Sequence, residues 1–245
     1  FQMDGHTYEG KWEKDGESRL DQKEMAEKIA AFCKSKEAVI KEMKTERKEF
    51  QPPLLFNLSS LQATANKAFK YSPKKTLDIL QKLYQKGIVS YPRSDSNYVT
   101  EGEAELFPDI LAKLGQFEDY KSLMPVPNPS ILHNKRFVNE KKVSDHYAII
   151  PTEQVTNPNR LSGEEKNIYD LVVRRLIAAH YESAVFDYTT ITTLVDGRAE
   201  FISKGKQQIR EGWRKVVFLD DKDEDTILPN VKQDDTGIVK KVKVK

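Results

Sequence analysis

A phenol and a guanidinium stand one proline apart in the stretch Ser90-Tyr91-Pro92-Arg93-Ser94-Asp95-Ser96. A deprotonated tyrosine can attack a phosphodiester, and an arginine fork can hold phosphate oxygens while negative charge builds. The pair therefore points to chemistry on a nucleic-acid backbone. By residue type alone, Tyr91 also fits a packed ring whose hydroxyl is satisfied. A second segment, His146-Tyr147-Ala148-Ile149-Ile150-Pro151-Thr152, sets a histidine ahead of an apolar run. His146 reads either as a structural residue or as a donor to phosphate and a proton carrier near neutral pH. His6, His133 and His180 lack such a context and read as structural.

The elements that must position Tyr91 are legible before it. Pro52-Pro53 breaks the chain and marks a domain boundary. Ser59 can cap a helix with Leu61, Ala65, Ala68 and Phe69 on one face. Ser72-Pro73 predicts a second helix start, with Ile79, Leu80, Leu83 and Tyr84 as its apolar stripe and Gly87 as its stop. Ile88, Val89 and Tyr91 then predict a short strand. Two short helices followed by a strand outline a winged helix-turn-helix, although two packed helices with no such role are commoner.

On either side the text changes. Gly5, Gly10 and Gly16 mark turns near the start, and Asp21 to Glu24 reads as a capping box before Met25, Ile29 and Phe32. Ala38 to Met43 predicts a strand. Pro125 to Pro129 is loop, and Ser162-Gly163-Glu164-Glu165 caps a helix with Ile168, Leu171, Val172, Leu176 and Ala179 inward. Val185 to Val195 predicts a strand, Asp196-Gly197 a hairpin turn, and Ala199 to Ile202 its return. Val216 to Leu219 and Ile238-Val239 are further strand candidates. The expectation is an α+β fold in which a strand-rich domain is interrupted by a mainly helical one.

Bulk composition narrows the function classes only slightly. The chain has 245 residues, 32% of them charged, and a formal net charge of +2, too small for a strong nucleic-acid field. Local basic groups carry more weight: Lys67, Lys70, Lys74 and Lys75; Lys135 and Arg136; and Lys204, Lys206, Arg210, Arg214 and Lys215. Each reads equally as a solvated helix or strand face. The single cysteine, Cys33, excludes a disulfide framework and a thiolate zinc site, and fits a reducing intracellular setting. No apolar run reaches membrane-spanning length.

Together the two motifs resemble those of the type IA DNA topoisomerases. Tyr91 to Ser96 is similar to the family's Y-[PM]-R-[ST]-D-[ST] turn, and His146 to Thr152 to its H-x-A-I-x-P-[ST] segment. The helix from Ser59, the Lys74-Lys75-Thr76-Leu77 helix start, Leu83 to Gly87, Leu161-Ser162 and Gly212-Trp213 extend the resemblance along nearly the whole chain. It implies that Tyr91 forms a 5′-phosphotyrosine bond, that Arg93 holds the scissile phosphate and that His146 contacts the same backbone. Ser90, Ser94, Lys74 and Lys75 are implied as DNA-binding residues. Two positions depart from the pattern: Tyr147 replaces a histidine or acid, and Ser94 the usual threonine. Pro92 and Ile149-Ile150-Pro151-Thr152 resemble the topoisomerase III branch more than the topoisomerase I branch.

The resemblance implies an organisation of 1–52 and 179–245 as a strand-rich arch, with 53–178 as a winged-helix-like gate domain carrying the nucleophile. It also implies a longer parent enzyme of the bacterial cytoplasm, acting on single-stranded DNA, with a helicase or single-strand-binding protein as a candidate partner and no membrane. Family members carry a Toprim domain that holds magnesium; no match to it is found here, so no metal ligand is assigned. The run Asp220-Asp221-Lys222-Asp223-Glu224-Asp225 mimics an acidic metal motif but matches a variable loop of the family. The alternatives are a non-catalytic single-stranded DNA-binding or architectural module, and a nuclease using that acidic run.

Overall fold

The computed structural model describes residues 1–217 and 224–245, which form two units. The first comprises Phe1–Glu49, Val185–Arg210 and the described part of 222–245; the second comprises Phe50–Ala184 with the described part of 211–221. The acidic run from Asp220 to Asp223, and Phe218-Leu219 of the expected strand, lie outside the described residues. Val216 and Val217, its other half, form no strand; they follow a short 3₁₀ turn at Gly212–Lys215.

The first unit is a seven-stranded sheet in the order β2-β1-β7-β4-β5-β6-β3, covered by one helix. Its members are β1 (Gln2–Met3), β2 (His6–Thr7), β3 (Lys11–Trp12), α1 (Lys23–Cys33), β4 (Glu37–Phe50), β5 (Ala184–Val195), β6 (Ala199–Arg210) and β7 (Thr236–Ile238). The Asp196-Gly197 turn closes β5 on β6 with both residues at positive φ, 48° and 68°, which matches the twist of a tight antiparallel hairpin. β4 and β6 run well beyond the expected strands. The reason is local: the later part of β4, from Lys41, is mostly exposed, and alternating charges such as the Arg47–Asp187 pair support it instead of an apolar face.

The core of this unit gathers Met3, Cys33, Ala38, Ile40, Ile191 and Val195, among others. α1 starts one residue later than its predicted cap. Gln22 holds the N-cap position without a side-chain hydrogen bond, and Met25, expected inward, is 49% exposed. Ile29 and Phe32 do pack on the core.

The second unit is helical: α2 (Leu58–Phe69), α3 (Pro73–Gln85), α4 (Glu101–Leu114), α5 (Glu118–Lys121) and α6 (Gly163–Ala179). α2 is capped by Asn57, not Ser59. The Asn57 carboxamide accepts from Ser60 N, and the Ser60 hydroxyl accepts from Asn57 N. α3 begins as its sequence predicts, with Ser72 accepting from Lys75 N and Pro73 in the first turn. Gly87 follows the helix at φ 75°, a left-handed conformation that glycine adopts without strain.

α6 is the central post, capped by the Ser162–Glu165 box and buried along most of its length. Ile79, Leu80 and Leu83 of α3 pack in the same core as Ile168, Leu171, Val172 and Leu176 of α6. Burying each such side chain stabilises the fold by about 1.5–3 kcal/mol. Where a wing strand was expected after α3, Val89 makes a single antiparallel bridge to Pro151. Gly212 seals the return to this unit at φ 55°, where a Cβ would lie 2.5 Å from the carbonyl oxygens of Glu182 and Ser183.

Candidate active site

The turn that follows α3 is built by long-range hydrogen bonds. Ser90 N donates to Ile150 O at 2.9 Å, and the Ser90 hydroxyl donates to Ala148 O at 2.8 Å while accepting from Ile150 N at 2.9 Å. On the far side Ile149 N donates to Phe56 O at 2.8 Å. The His146–Thr152 segment is thus laced between Phe56 and the Tyr91 turn. Ser94 completes the join, donating to His146 O at 3.3 Å and accepting Leu58 N through its own carbonyl at 2.9 Å. Ser96 bonds to Lys142 O at 2.8 Å, and Asn97 to Leu55 O at 2.7 Å.

These bonds place the Tyr91 and His146 rings in contact, centroid to centroid 4.1 Å and tilted by 34°. Tyr84 meets Tyr91 edge to face, at 5.6 Å and 84°. Tyr91 is half-buried, while Arg93 and His146 are exposed. Tyr91, Pro92 and Arg93 line a cleft of about 270 Å³ together with Gln81, Tyr84 and Gln85 of α3.

The contrast in hydrogen bonding is sharp. Ser90, Ser94, Ser96, Asn57 and Asn97 are all engaged within the fold. Among the described residues the Tyr91 hydroxyl, the Arg93 guanidinium and the His146 ring nitrogens have no hydrogen-bond or ion-pair partner. A phenol, a cation and an imidazole are therefore held in place by their backbones and ring contacts, with their polar atoms open to a ligand.

The other sequence-derived residues fall elsewhere. Ser90 and Ser94 are turned inward, 6% and 2% exposed, where their hydroxyls hold the turn. Lys74 and Lys75 occupy the first turn of α3, at the opposite end from Tyr84. Lys74 lies 3.4 Å from Asp78, and Lys75 pairs with Glu164 and sits 4.5 Å above the Tyr71 ring. Hydrogen bonding to Glu164 raises the pKa of Lys75. His180 is buried, and burial lowers its pKa to about 4, so it is neutral near pH 7; its Nδ1 lies 2.9 Å from Leu176 O.

A family model described as DNA topoisomerase matches residues 1–245. The chain belongs to the DNA topoisomerase family. It is 36% identical over 239 residues to DNA topoisomerase 1 of Alkalihalophilus pseudofirmus, covering 98% of this chain and 33% of that protein. To DNA topoisomerase 3 of Bacillus cereus it is 37% identical over 233 residues, covering 92% of this chain and 32% of the relative. The chain thus spans about a third of the length of these relatives. Relatives carrying the two names are equally similar, so identity does not separate the two branches. Full-length topoisomerase I of Thermotoga maritima superposes with a TM-score of 0.67 over 94% of this chain and 36% of that one, at 22% identity, a likeness of fold.

Among the described residues no group of three His, Cys, Asp or Glu side chains could hold a metal ion. Of the acidic run, Asp225 is described, and its carboxylate accepts from Gln208 N at 3.0 and 3.1 Å. Among the described residues no helix is long and apolar enough to cross a membrane.

Sequence reasoning missed Tyr84, Gln81 and Gln85 as parts of the cleft. Tyr84 counted as a core position, because its spacing from Leu80 continues the apolar stripe. It is 45% exposed. The available signal was the i, i+3, i+4 spacing of Gln81, Tyr84 and Gln85, which puts two amides and a ring on one face.

Proposed function

We propose that this chain carries the DNA-cleaving centre of a type IA topoisomerase, with Tyr91 as nucleophile. The observation that carries the proposal is the stack of Tyr91 on His146 at 4.1 Å, beside an Arg93 that has no partner among the described residues. The Tyr91 oxygen gives up its proton to solvent and attacks the phosphorus of one strand; the bond from phosphorus to the 3′-oxygen breaks, and that oxygen takes a proton from solvent to leave as the 3′-hydroxyl. The strand then ends in a 5′-phosphotyrosine diester. Because one phosphodiester replaces another, religation runs by the reverse attack and needs no ATP. Arg93 offsets the charge that builds on the phosphate oxygens, and His146 contacts the same phosphate region and backs the tyrosine ring.

Ser90 and Ser94 act through the turn that they hold. Lys74 and Lys75 extend the DNA path along α3, with α2 and α3 as the helical half of a winged-helix-like unit. In the longer parent enzyme, movement of this unit relative to the strand-rich one lets a second strand pass through the break. In the parent, a Toprim domain would supply the acid that acts on the leaving 3′-oxygen and would hold the magnesium. The chain alone is expected to bind single-stranded DNA weakly and to cleave it little or not at all.

The test is a Tyr91→Phe substitution in the full-length parent. The wild type should form covalent adducts with single-stranded DNA on denaturing gels, and the variant should form none while retaining its affinity. Unchanged relaxation of supercoiled plasmid by the variant sinks the proposal. Binding without adducts in either protein favours a non-catalytic single-stranded DNA-binding module.

A further inference from the structure

The α3 wall of the cleft has no part in the chemistry above, yet its composition is specific. Burial of Ile79, Leu80 and Leu83 turns the face of Gln81, Tyr84 and Gln85 outward. The Tyr84 ring is 45% exposed, and among the described residues the amides of Gln81 and Gln85 have no hydrogen-bond partner. Arg93 lines the same cleft, and no carboxylate does. A flat ring, two amides and a guanidinium match the parts of a nucleotide: a base face that stacks, a base edge that hydrogen-bonds, and a phosphate.

Size points the same way. At about 270 Å³ the cleft lies just below the roughly 300–1,000 Å³ of sites for drug-sized ligands, room for one nucleotide unit and not for a duplex. A paired base has both faces covered by its neighbours, so only an unpaired base can present one to Tyr84. We propose that this face of α3 is a nucleobase subsite, where the base beside the Arg93-bound phosphate stacks on Tyr84 while Gln81 and Gln85 meet its edge. The subsite rests on the proposed function, since it takes Arg93 as the phosphate holder. It also ties binding to positioning, because the ring that receives the base is the one against which Tyr91 leans.

The experiment uses the full-length parent with Tyr91→Phe, so that no adduct can form, and measures affinity for fluorescein-labelled oligothymidylate by anisotropy. Each oligonucleotide of a second set carries one abasic position. Tyr84→Leu should weaken binding of the intact strand roughly 5- to 150-fold, and one abasic position should do the same to the Tyr84 protein. That abasic position should cost the Tyr84→Leu protein less than about twofold, the coupling expected of direct contact. Tyr84→Trp, which keeps a stacking face, should retain affinity. Additive losses, or no sensitive abasic position, overturn the subsite. If Arg93→Ala weakens binding while every Tyr84 variant binds normally, the subsite falls and the phosphate site stands. Failure of all the proteins to bind any oligonucleotide takes both down.

Discussion

The two ends of α3 carry similar side chains and put them to different use. Near its start Lys75 is held by Glu164 of α6 and by the Tyr71 ring, whose hydroxyl accepts from Asn167 at 3.0 Å. Lys86, just past the other end, is likewise paired, 3.0 Å from Glu165. Burial pushes the Glu165 carboxyl up, but hydrogen bonds from Lys86 and Ser162 outweigh it and hold its pKa below the usual range. Beyond that pair, Gln81, Tyr84 and Gln85 face a cleft where Arg93 has no partner among the described residues. A helix of 13 residues is about 20 Å long, so the two ends do not share surroundings. The comparison teaches that a cation marks a site by what it leaves unpaired, not by its presence. Lys75 helps hold α3 to α6, whereas Arg93 has no such duty.

Four substitutions test that contrast, and the largest effect belongs to Arg93. Arg93→Ala in the full-length parent should lower the rate of adduct formation by roughly 10²- to 10³-fold, the loss typical of one preorganised donor at a developing charge. A rate within threefold of wild type would place the phosphate elsewhere. Ser90→Ala should act on stability before chemistry. It leaves Ile150 N and Ala148 O buried without their partner, which costs about 1–3 kcal/mol and should appear as a lower urea midpoint. A Ser90→Ala protein as stable as wild type but poor at binding DNA would instead make the hydroxyl a direct DNA contact. Smallest is Lys75→Ala, because its ammonium is already engaged by Glu164. Affinity for single-stranded DNA should change by less than about twofold, and by less than for Lys74→Ala, which should reduce the salt dependence by about one unit of slope. A larger loss at Lys75 than at Lys74 would mean that the pairing with Glu164 does not withdraw Lys75 from DNA.

Much of the local structure was legible because it depends on neighbours in the chain. Ser72-Pro73, the Ser162–Glu165 box and Asp196-Gly197 each set a few dihedral angles, and the structure has them where the residues stand. Misses came where two local signals competed or where packing intervened. Asn57 took the cap from Ser59 because its amide also reaches Asp95 O at 3.2 Å and Asn97 at 3.3 Å. Tyr84 left the core because Ile79, Leu80 and Leu83 already fill the face toward α6. Val89 formed a bridge, not a strand, because Ile150 N, which would return the ladder bond to Ser90 O, is taken by the Ser90 hydroxyl.

By itself, the sequence determined the family, the caps and turns, and the chemical pairing of Tyr91 with Arg93, all of which rest on residue type and short spacing. Only the tertiary structure decided which polar groups would be used up in holding the fold. It buried the hydroxyls of Ser90 and Ser94, engaged Lys75, and brought His146 from a distant segment onto the Tyr91 ring. The physical reason is that hydrogen bonds between Ser90 and the segment Ala148–Ile150 join parts of the chain whose meeting depends on the packing of α2, α3 and α6 together, and no local pattern encodes that packing.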